Sequence, residues 1–455
     1  LGTRRFGGQQ RARTFFVGDF TGQAMLHVMF EQLIKSGVRS YEEWFVTGLI
    51  NEDGREDGQV CGVTALEIRS GQIFAIRAKT VIFCTGGLGR VFEPSTNALI
   101  VTGDGMALAY NAGARLMDME MVQYHPTTLA GSGVLISEAA RGEGAYLLDK
   151  HGERFMKNYA PNMMELASRD VVSRAEQTEI NAGNGVNGCL LLDCRHLGET
   201  LISEKLSQIR EIGIDLAGVD MVKEPVPIRP GMHYMMGGIK TDVDGRTNLP
   251  GVYAAGECAC VSVHGGNRLG ANSLLDTIVF GERAGNHAAT SSREVEYVEF
   301  DVDAVVKREE RRIQEILDRP KNGDRVAAIR LAMGQSMNNN LAVFRNQAGM
   351  GETLRDVREL AERYVKAPVD DKGRVFNTDL VFALELGFML DCAETIALSA
   401  LDRKDSRGAQ ARTDYPKRDD ENWMKHVVVT KGEVGPEISY LPVSITKWPP
   451  EERKY

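Results

Sequence analysis

The chain has 455 residues, enough to bury a large core and to form two or three domains. It is 43% hydrophobic and 26% charged, and its formal net charge of -9 argues against the basic face of a nucleic-acid binder. No apolar run approaches the roughly 18 residues of a membrane span, so any membrane association must be peripheral or through a partner.

Apolar residues at helical spacing over 15–35 predict a helix ending before Gly37. Residues 45–50, 60–68 and 72–78 predict strands. The apolar run 80–84 leads into Thr85-Gly86-Gly87 and predicts a buried strand that delivers a glycine turn to a ligand. A helix is expected over 104–114. From about 120 to 232, short loops, glycines and one helix near 168–182 predict an inserted unit. Strand–glycine–helix texture returns at 233–290. Helical patterns at 303–318, 324–342, 351–366 and 376–401 predict a bundle. Pro416, Pro436, Pro442, Pro449 and Pro450 predict an irregular tail from 409.

Seven cysteines, an odd count without disulfide density, suit a reducing compartment. Cys258 and Cys260 lack a second pair nearby, so buried small side chains are expected there and no metal site. The chain opens at Leu1 without a Met, with Arg4-Arg5-Phe6 close behind. It is expected to be the interior of a longer protein.

The richest stretch runs from 232 to 276: HYMMGGI at 233–239, GVYAAGE at 251–257 and HGGNRLGANSLLD at 264–276. Glycines punctuate a strand, a turn and a helix start, with a His and an Arg beside them. Asn272 or Ser273 is a good N-cap for a helix through Leu274. Such an N-terminus favours an anion, including the N1 side of a reduced flavin. Taken alone, an ordinary capped helix explains the pattern better. Glu257, at a strand's end, can hold ribose or ribitol hydroxyls or can be a surface residue. Gly86 and Gly87, and Asp104 between Gly103 and Gly105, have the same double reading. Together these turns favour a dinucleotide site, although the G-x-G-x-x-G fingerprint is absent.

The segment HPTTLAGSGVLISEAARGEG at 125–144 gathers His125, Ser137, Glu138 and Arg141. A proton relay needs such alternating donors and acceptors, and a polar loop with an internal salt bridge reads nearly as well. Arg169 opens a helix where the dipole opposes a cation. Either it faces an anion or Asp170 compensates it.

Those segments, with ERFM, YAPN, SRDVVSR, SRGAQAR and RDDENW in order, resemble the flavoprotein subunit of succinate dehydrogenase and fumarate reductase. The resemblance runs from Arg4 to Tyr455, and RDDENW at 418–423 points to these complexes rather than to L-aspartate oxidases, the alternative soluble flavoenzymes. A non-catalytic assembly role is the other alternative. The resemblance implies an α/β fold: an incomplete Rossmann-like FAD-binding domain (1–122 and 233–295), an inserted α+β capping domain (123–232), a helical domain (296–408) and a C-terminal extension (409–455). It implies succinate–fumarate interconversion with FAD.

In the family's pattern, Arg169 matches the proton-transferring Arg, and Glu138 and Arg141 match the relay behind it. His233 and Arg268 match a clamp on one substrate carboxylate. His125, Ser137 and Glu138 line the other end, and Phe6 matches an aromatic wall. Asp104, Glu257, Asn272, Ser273 and Leu274 match FAD contacts, beside the Gly86-Gly87 turn. Ser137 stands where the family usually has Thr, Ala139-Ala140 replace Gly-Cys, and Tyr124 replaces Phe. The family's N-terminal portion, with the FAD fingerprint and the His that attaches FAD covalently, is expected to lie outside these residues. No cysteine set for a cluster is present. The resemblance implies an iron–sulfur subunit and a quinone-binding membrane anchor as partners. They would hold the chain peripherally on the cytoplasmic or matrix face of a membrane.

Overall fold

A computed structural model describes residues 2–9, 11–51 and 58–451 of the chain, so the final residue of the resemblance, Tyr455, lies outside the described residues. The architecture is α/β. The apolar, β-branched runs form the strands Trp44–Asn51, Val60–Glu67 and Gln72–Arg77, an antiparallel three-stranded sheet. The next strand, Val81–Phe83, pairs in parallel with Val252–Ala254 in a two-stranded sheet. It was expected to be buried, yet Ile82, Cys84 and Thr85 are exposed. Among the described residues Val252–Ala254 is its one strand partner, so its other edge is unpaired.

A second, four-stranded sheet holds Val122–Leu129, Val226–Met235, Leu190–Asp193 and Tyr146–Leu148, in that order. Every residue of Val122–Leu129 is buried. The helix Arg169–Asn181 packs across this sheet, and a core including Leu129, Ile136, Leu147, Val172, Leu190 and Ile228 fills the space between. A larger core joins Met106, Leu116, Tyr124 and Val252 to the helices Val302–Leu317, Val326–Asn340, Gln347–Tyr364 and Thr378–Asp402. Three of these helices start where the side chain of Asp301, Asn346 or Asn377 accepts a first-turn N–H, the usual way to satisfy such orphan donors. Thr378–Asp402 is apolar nearly all round and is correspondingly the most enclosed, as a central bundle helix must be.

Two further expectations need correction. The tail is not irregular: Lys425–Lys431 and Pro436–Pro442 form an antiparallel hairpin that extends the sheet through Leu116–Met117. Pro436 and Pro442 sit at the ends of an edge strand, where a missing N–H breaks no inner ladder. The expected helix before Gly37 is present as Thr21–Lys35, and it buries no residue: Leu26, Met29, Phe30, Leu33 and Ile34 are exposed. The N-cap of the helix Asn272–Glu294 is Ala271, in the left-handed region at φ 68°, with no side-chain cap. Neither Asn272 nor Ser273 takes that place. Cys258 and Cys260 are buried, as small core side chains should be.

Candidate functional site

Two clusters of side chains meet near the junction of the strand Val122–Leu129, the strand Val226–Met235 and the helix Asn272–Glu294. The first is cationic and deeply buried. Gly231 pairs with His125 across the two strands, which brings His233 beside it. The His125 and His233 rings lie edge-on, 4.9 Å apart. His125 Nδ1 accepts the Thr127 backbone N–H at 3.2 Å, which leaves the proton on Nε2. That Nε2 is buried and makes no hydrogen bond among the described residues. Thr96 Oγ1 lies 2.9 Å from His233 Nδ1. Burial, then the charge of Arg169, pushes both imidazoles well below their usual range. They are therefore neutral N–H donors at physiological pH.

Arg268 is 3% exposed, its guanidinium 4.3 Å from the Tyr234 ring centre and 3.2 Å from Ser273 Oγ. Burial, then the neighbouring charge of Arg169, lowers it to about 9. Its Nε is buried without a partner among the described residues. Arg169 begins its helix with Nε and Nη2 at 2.8 and 2.7 Å from Glu138 Oε2, and Nη1 at 3.1 Å from Gln123 Oε1. Of the two readings of Arg169, this is the one that faces an anion. Asp170 instead binds Arg174 at 3.1 Å and accepts from Asn267 at 2.7 Å. Burial alone would raise Glu138, but the Arg169 and Arg141 guanidiniums hold it down at about 2. Its other oxygen accepts the Gly7 N–H at 2.5 Å and lies 3.9 Å from Arg141. Phe6 closes one side: a Cβ at Gly270 would come within 2.8 Å of its ring, so only glycine permits this approach. Ser137 is half-buried and its hydroxyl accepts the Ala139 N–H at 3.2 Å.

The second cluster is glycine-framed. A Cβ at Gly87 would collide with the Glu257 carboxylate, and one at Gly105 with the Thr85 hydroxyl. Gly86 takes φ 71° and faces open space. Glu257 follows its strand and accepts the Met235 N–H at 2.9 Å, and burial pushes it up to about 7. Asp104 starts the helix Asp104–Asn111, accepts the Thr102 hydroxyl at 2.7 Å, and is raised by burial to about 6. Asn272, Ser273 and Leu274 form the half-buried first turn beyond Ala271. With no side-chain cap, that turn's N–H groups suit an anionic ring or phosphate. The close glycine turn, the buried Glu257 carboxylate and the uncapped helix fit a flavin dinucleotide.

The structure thus brings together His125, Glu138, Arg141, Arg169, His233, Arg268 and Phe6. It also reveals Gln123, whose amide nitrogen donates to the Arg268 carbonyl at 2.7 Å while its oxygen receives Arg169. A signal was present: Gln123, His125 and Thr127, each two apart, are polar positions on one face of a fully buried strand. Thr96 and Tyr234 had no comparable signal. Chemically, the cluster sets neutral imidazole and cationic guanidinium donors side by side, with Arg169 held against the Glu138 carboxylate.

The fold and the glycine-framed cluster define an FAD-binding oxidoreductase. The family model for the FAD binding domain matches residues 1–274, and that for the fumarate reductase flavoprotein C-terminus matches 330–455. The fumarate reductase flavoprotein subunit of Mycobacterium tuberculosis is 46% identical over 475 residues, covering 100% of this chain and 81% of that protein. The succinate dehydrogenase flavoprotein subunit of Coxiella burnetii is 39% identical, covering 99% and 79%. A solved mutant chain of E. coli quinol fumarate reductase superposes with a TM-score of 0.95 at 39% identity, covering 99% of this chain and 80% of that one. The chain belongs to the fumarate reductase and succinate dehydrogenase flavoprotein subunit family. Its cofactor is FAD. These relatives support that reading over the aspartate oxidase alternative. Among the described residues no helix is long and apolar enough to cross a membrane.

Proposed function

We propose that the cationic cluster binds a four-carbon dicarboxylate and that the chain interconverts succinate and fumarate there. One observation carries this reading. Three donors, the buried His125 and Arg268 and the half-buried His233, converge beside Arg169, the one cation among them paired to a carboxylate, Glu138. An uncompensated buried cation is costly, so such a pocket is arranged for an anion. Arg268 and His233 would hold one carboxylate, and His125 and Ser137 the other, with Glu138 shaping that end. Arg268 offers a planar fork that matches a carboxylate, which fixes orientation as well as affinity. Positive donors also stabilise the enolate-like charge that develops on a carboxylate during the reaction. Phe6 would exclude water on its side.

Gly86, Gly87, Asp104, Glu257, Asn272, Ser273 and Leu274 would hold FAD, which when bound supplies or accepts the hydride. Arg169 would give or take the proton on the adjacent carbon. Guanidinium rarely deprotonates, but Arg169 sits at a helix start, where the dipole opposes its charge, and Glu138 is poised to exchange its proton. Arg141 stands behind Glu138 as the next relay group.

The same reading divides the chain after 122, 232, 295 and 408. An iron–sulfur subunit would carry electrons to a quinone-binding membrane anchor, with this chain peripheral on the cytoplasmic or matrix face. The quinol fumarate reductase likeness supports such an assembly. The test is to assay the flavin-loaded protein with artificial electron donors and acceptors. Fumarate-dependent and succinate-dependent turnover, both inhibited by malonate, is expected. Turnover of neither would overturn the reading.

A further inference from the structure

We propose that Tyr234 is a positioning residue for the Arg268 end of the site: its ring holds the guanidinium in place for a carboxylate, and His264 holds the ring. This rests on the reading of Arg268 as a carboxylate clamp.

The strand Val226–Met235 is irregular at this point. Met232 pairs with Tyr124 and Tyr234 with Gln123, so His233 is an extra residue on its strand, a β-bulge. Consecutive side chains of a regular strand point to opposite faces, and a bulge re-aims them. Both neighbours therefore serve one site. The His233 ring faces His125, and the Tyr234 ring lies against Arg268, its centre 4.3 Å from the guanidinium carbon.

The loop that carries Arg268 is pinned from outside. The Gly266 carbonyl accepts the Ala409 N–H at 2.7 Å, the Arg268 carbonyl accepts from Gln123 at 2.7 Å, and Asn267 donates to Asp170 at 2.7 Å. The Arg268 side chain has lighter polar support. Its Nη1 donates to Ser273 Oγ at 3.2 Å and to the Leu269 carbonyl at 3.5 Å, and it forms no ion pair among the described residues. Its broad support is the Tyr234 face. That choice of partner has a chemical consequence. A carboxylate against Arg268 would neutralise the charge that an anionic substrate needs, as Glu138 does for Arg169. An aromatic face holds a desolvated cation through its quadrupole and carries no net charge.

Tyr234 is itself held. It is 5% exposed, and its hydroxyl lies 3.2 Å from His264 Nε2. Burial pushes the phenol up, so it stays protonated and neutral. The two rings meet edge-on, 5.5 Å apart. The same His264 nitrogen lies 3.6 Å from Asp276 Oδ2, on the helix Asn272–Glu294. Packing alone would be served by a Phe, which could not make this tie.

The test measures malonate binding to the flavin-loaded protein by calorimetry. Tyr234→Leu removes the aromatic face and keeps an apolar side chain. Its Kd is expected to rise roughly tenfold to thirtyfold, the scale of a desolvated cation–π contact. Tyr234→Phe keeps the face and loses only the hydroxyl, so its Kd should rise by no more than about threefold. The pH at which binding fails is a readout that packing would not move. Burial, then the Arg169 charge, lowers Arg268 to about 9, while Tyr234, Glu257 and Glu138 favour its cation and His125 and His233 stand neutral beside it. Without the face that midpoint should fall in Tyr234→Leu, and Tyr234→Phe should restore it. Wild-type affinity in Tyr234→Leu, or an equal loss in Tyr234→Phe, would overturn the proposal. A second measurement needs no substitution. In a crystal structure of the wild-type malonate complex, Arg268 should grip malonate with its guanidinium still within about 6 Å of the Tyr234 ring centre. A guanidinium that leaves the ring to reach malonate overturns the proposal too. Arg268→Ala is the control. If it binds malonate normally, the clamp reading fails. If it binds weakly while Tyr234→Leu binds as the wild type does, only the Tyr234 inference fails.

Discussion

Arg169 and Glu138 are locked side by side: Nε and Nη2 of the guanidinium lie 2.8 and 2.7 Å from one carboxylate oxygen, Oε2. Both groups are buried, at 7% and 2% exposure. The remaining Glu138 oxygen is held by the Gly7 N–H, so the carboxylate has little freedom to turn. A charged pair this deeply buried and this fixed is unlike a surface ion pair.

Arg268 should be the main anchor for dicarboxylates. Arg268→Ala is expected to weaken malonate or succinate binding by roughly 1.5–3 kcal/mol, the scale of a charge-assisted hydrogen bond. Calorimetry gives the answer directly, and an unchanged affinity would remove Arg268 from the clamp.

The clamp also predicts a pH profile. Arg268 is cationic below about 9 and loses its charge as pH rises through that value. Malonate affinity of the wild-type protein should therefore fall above about 9. Since burial keeps His125 and His233 neutral, affinity should be flat across the usual imidazole range. A step near neutral pH would contradict the neutral-donor assignment.

Gly87→Ala would push the new methyl into the Glu257 carboxylate and away from the Met235 N–H. Losing that buried hydrogen bond should cost roughly 1–3 kcal/mol in FAD affinity, because Glu257 can no longer accept from the cofactor in place. Fluorescence titration of the flavin measures it, with normal affinity as the contrary result.

Arg403 ties the tail to the core. Its Nε donates to Glu120 at 2.6 Å, and its other nitrogens donate to the carbonyls of Trp423 and Lys425 at 3.0 and 2.7 Å. Arg403→Met should destabilise the protein by about 3 kcal/mol or more, since it strands a buried Glu120. Adding Glu120→Met should recover much of the loss. Urea denaturation of the single and double variants tests both halves.

Much of this was legible in the sequence. Periodicity placed the strands through Phe45, Val63 and Phe74 and the four long helices, because their apolar patterns are strong. The tail was misread because prolines at the two ends of an edge strand look like prolines in a loop. The helix cap was misread because Ala271 pays for its left-handed φ through tertiary context that Asn272 and Ser273 do not advertise.

The most direct test compares two numbers on one variant. Arg169→Gln in the flavin-loaded protein should lose about 10²–10⁴ in turnover, the scale of a removed acid–base group, while malonate affinity stays near the wild-type value. Turnover at the wild-type rate with Gln at that position would contradict the assignment of Arg169 as the proton carrier.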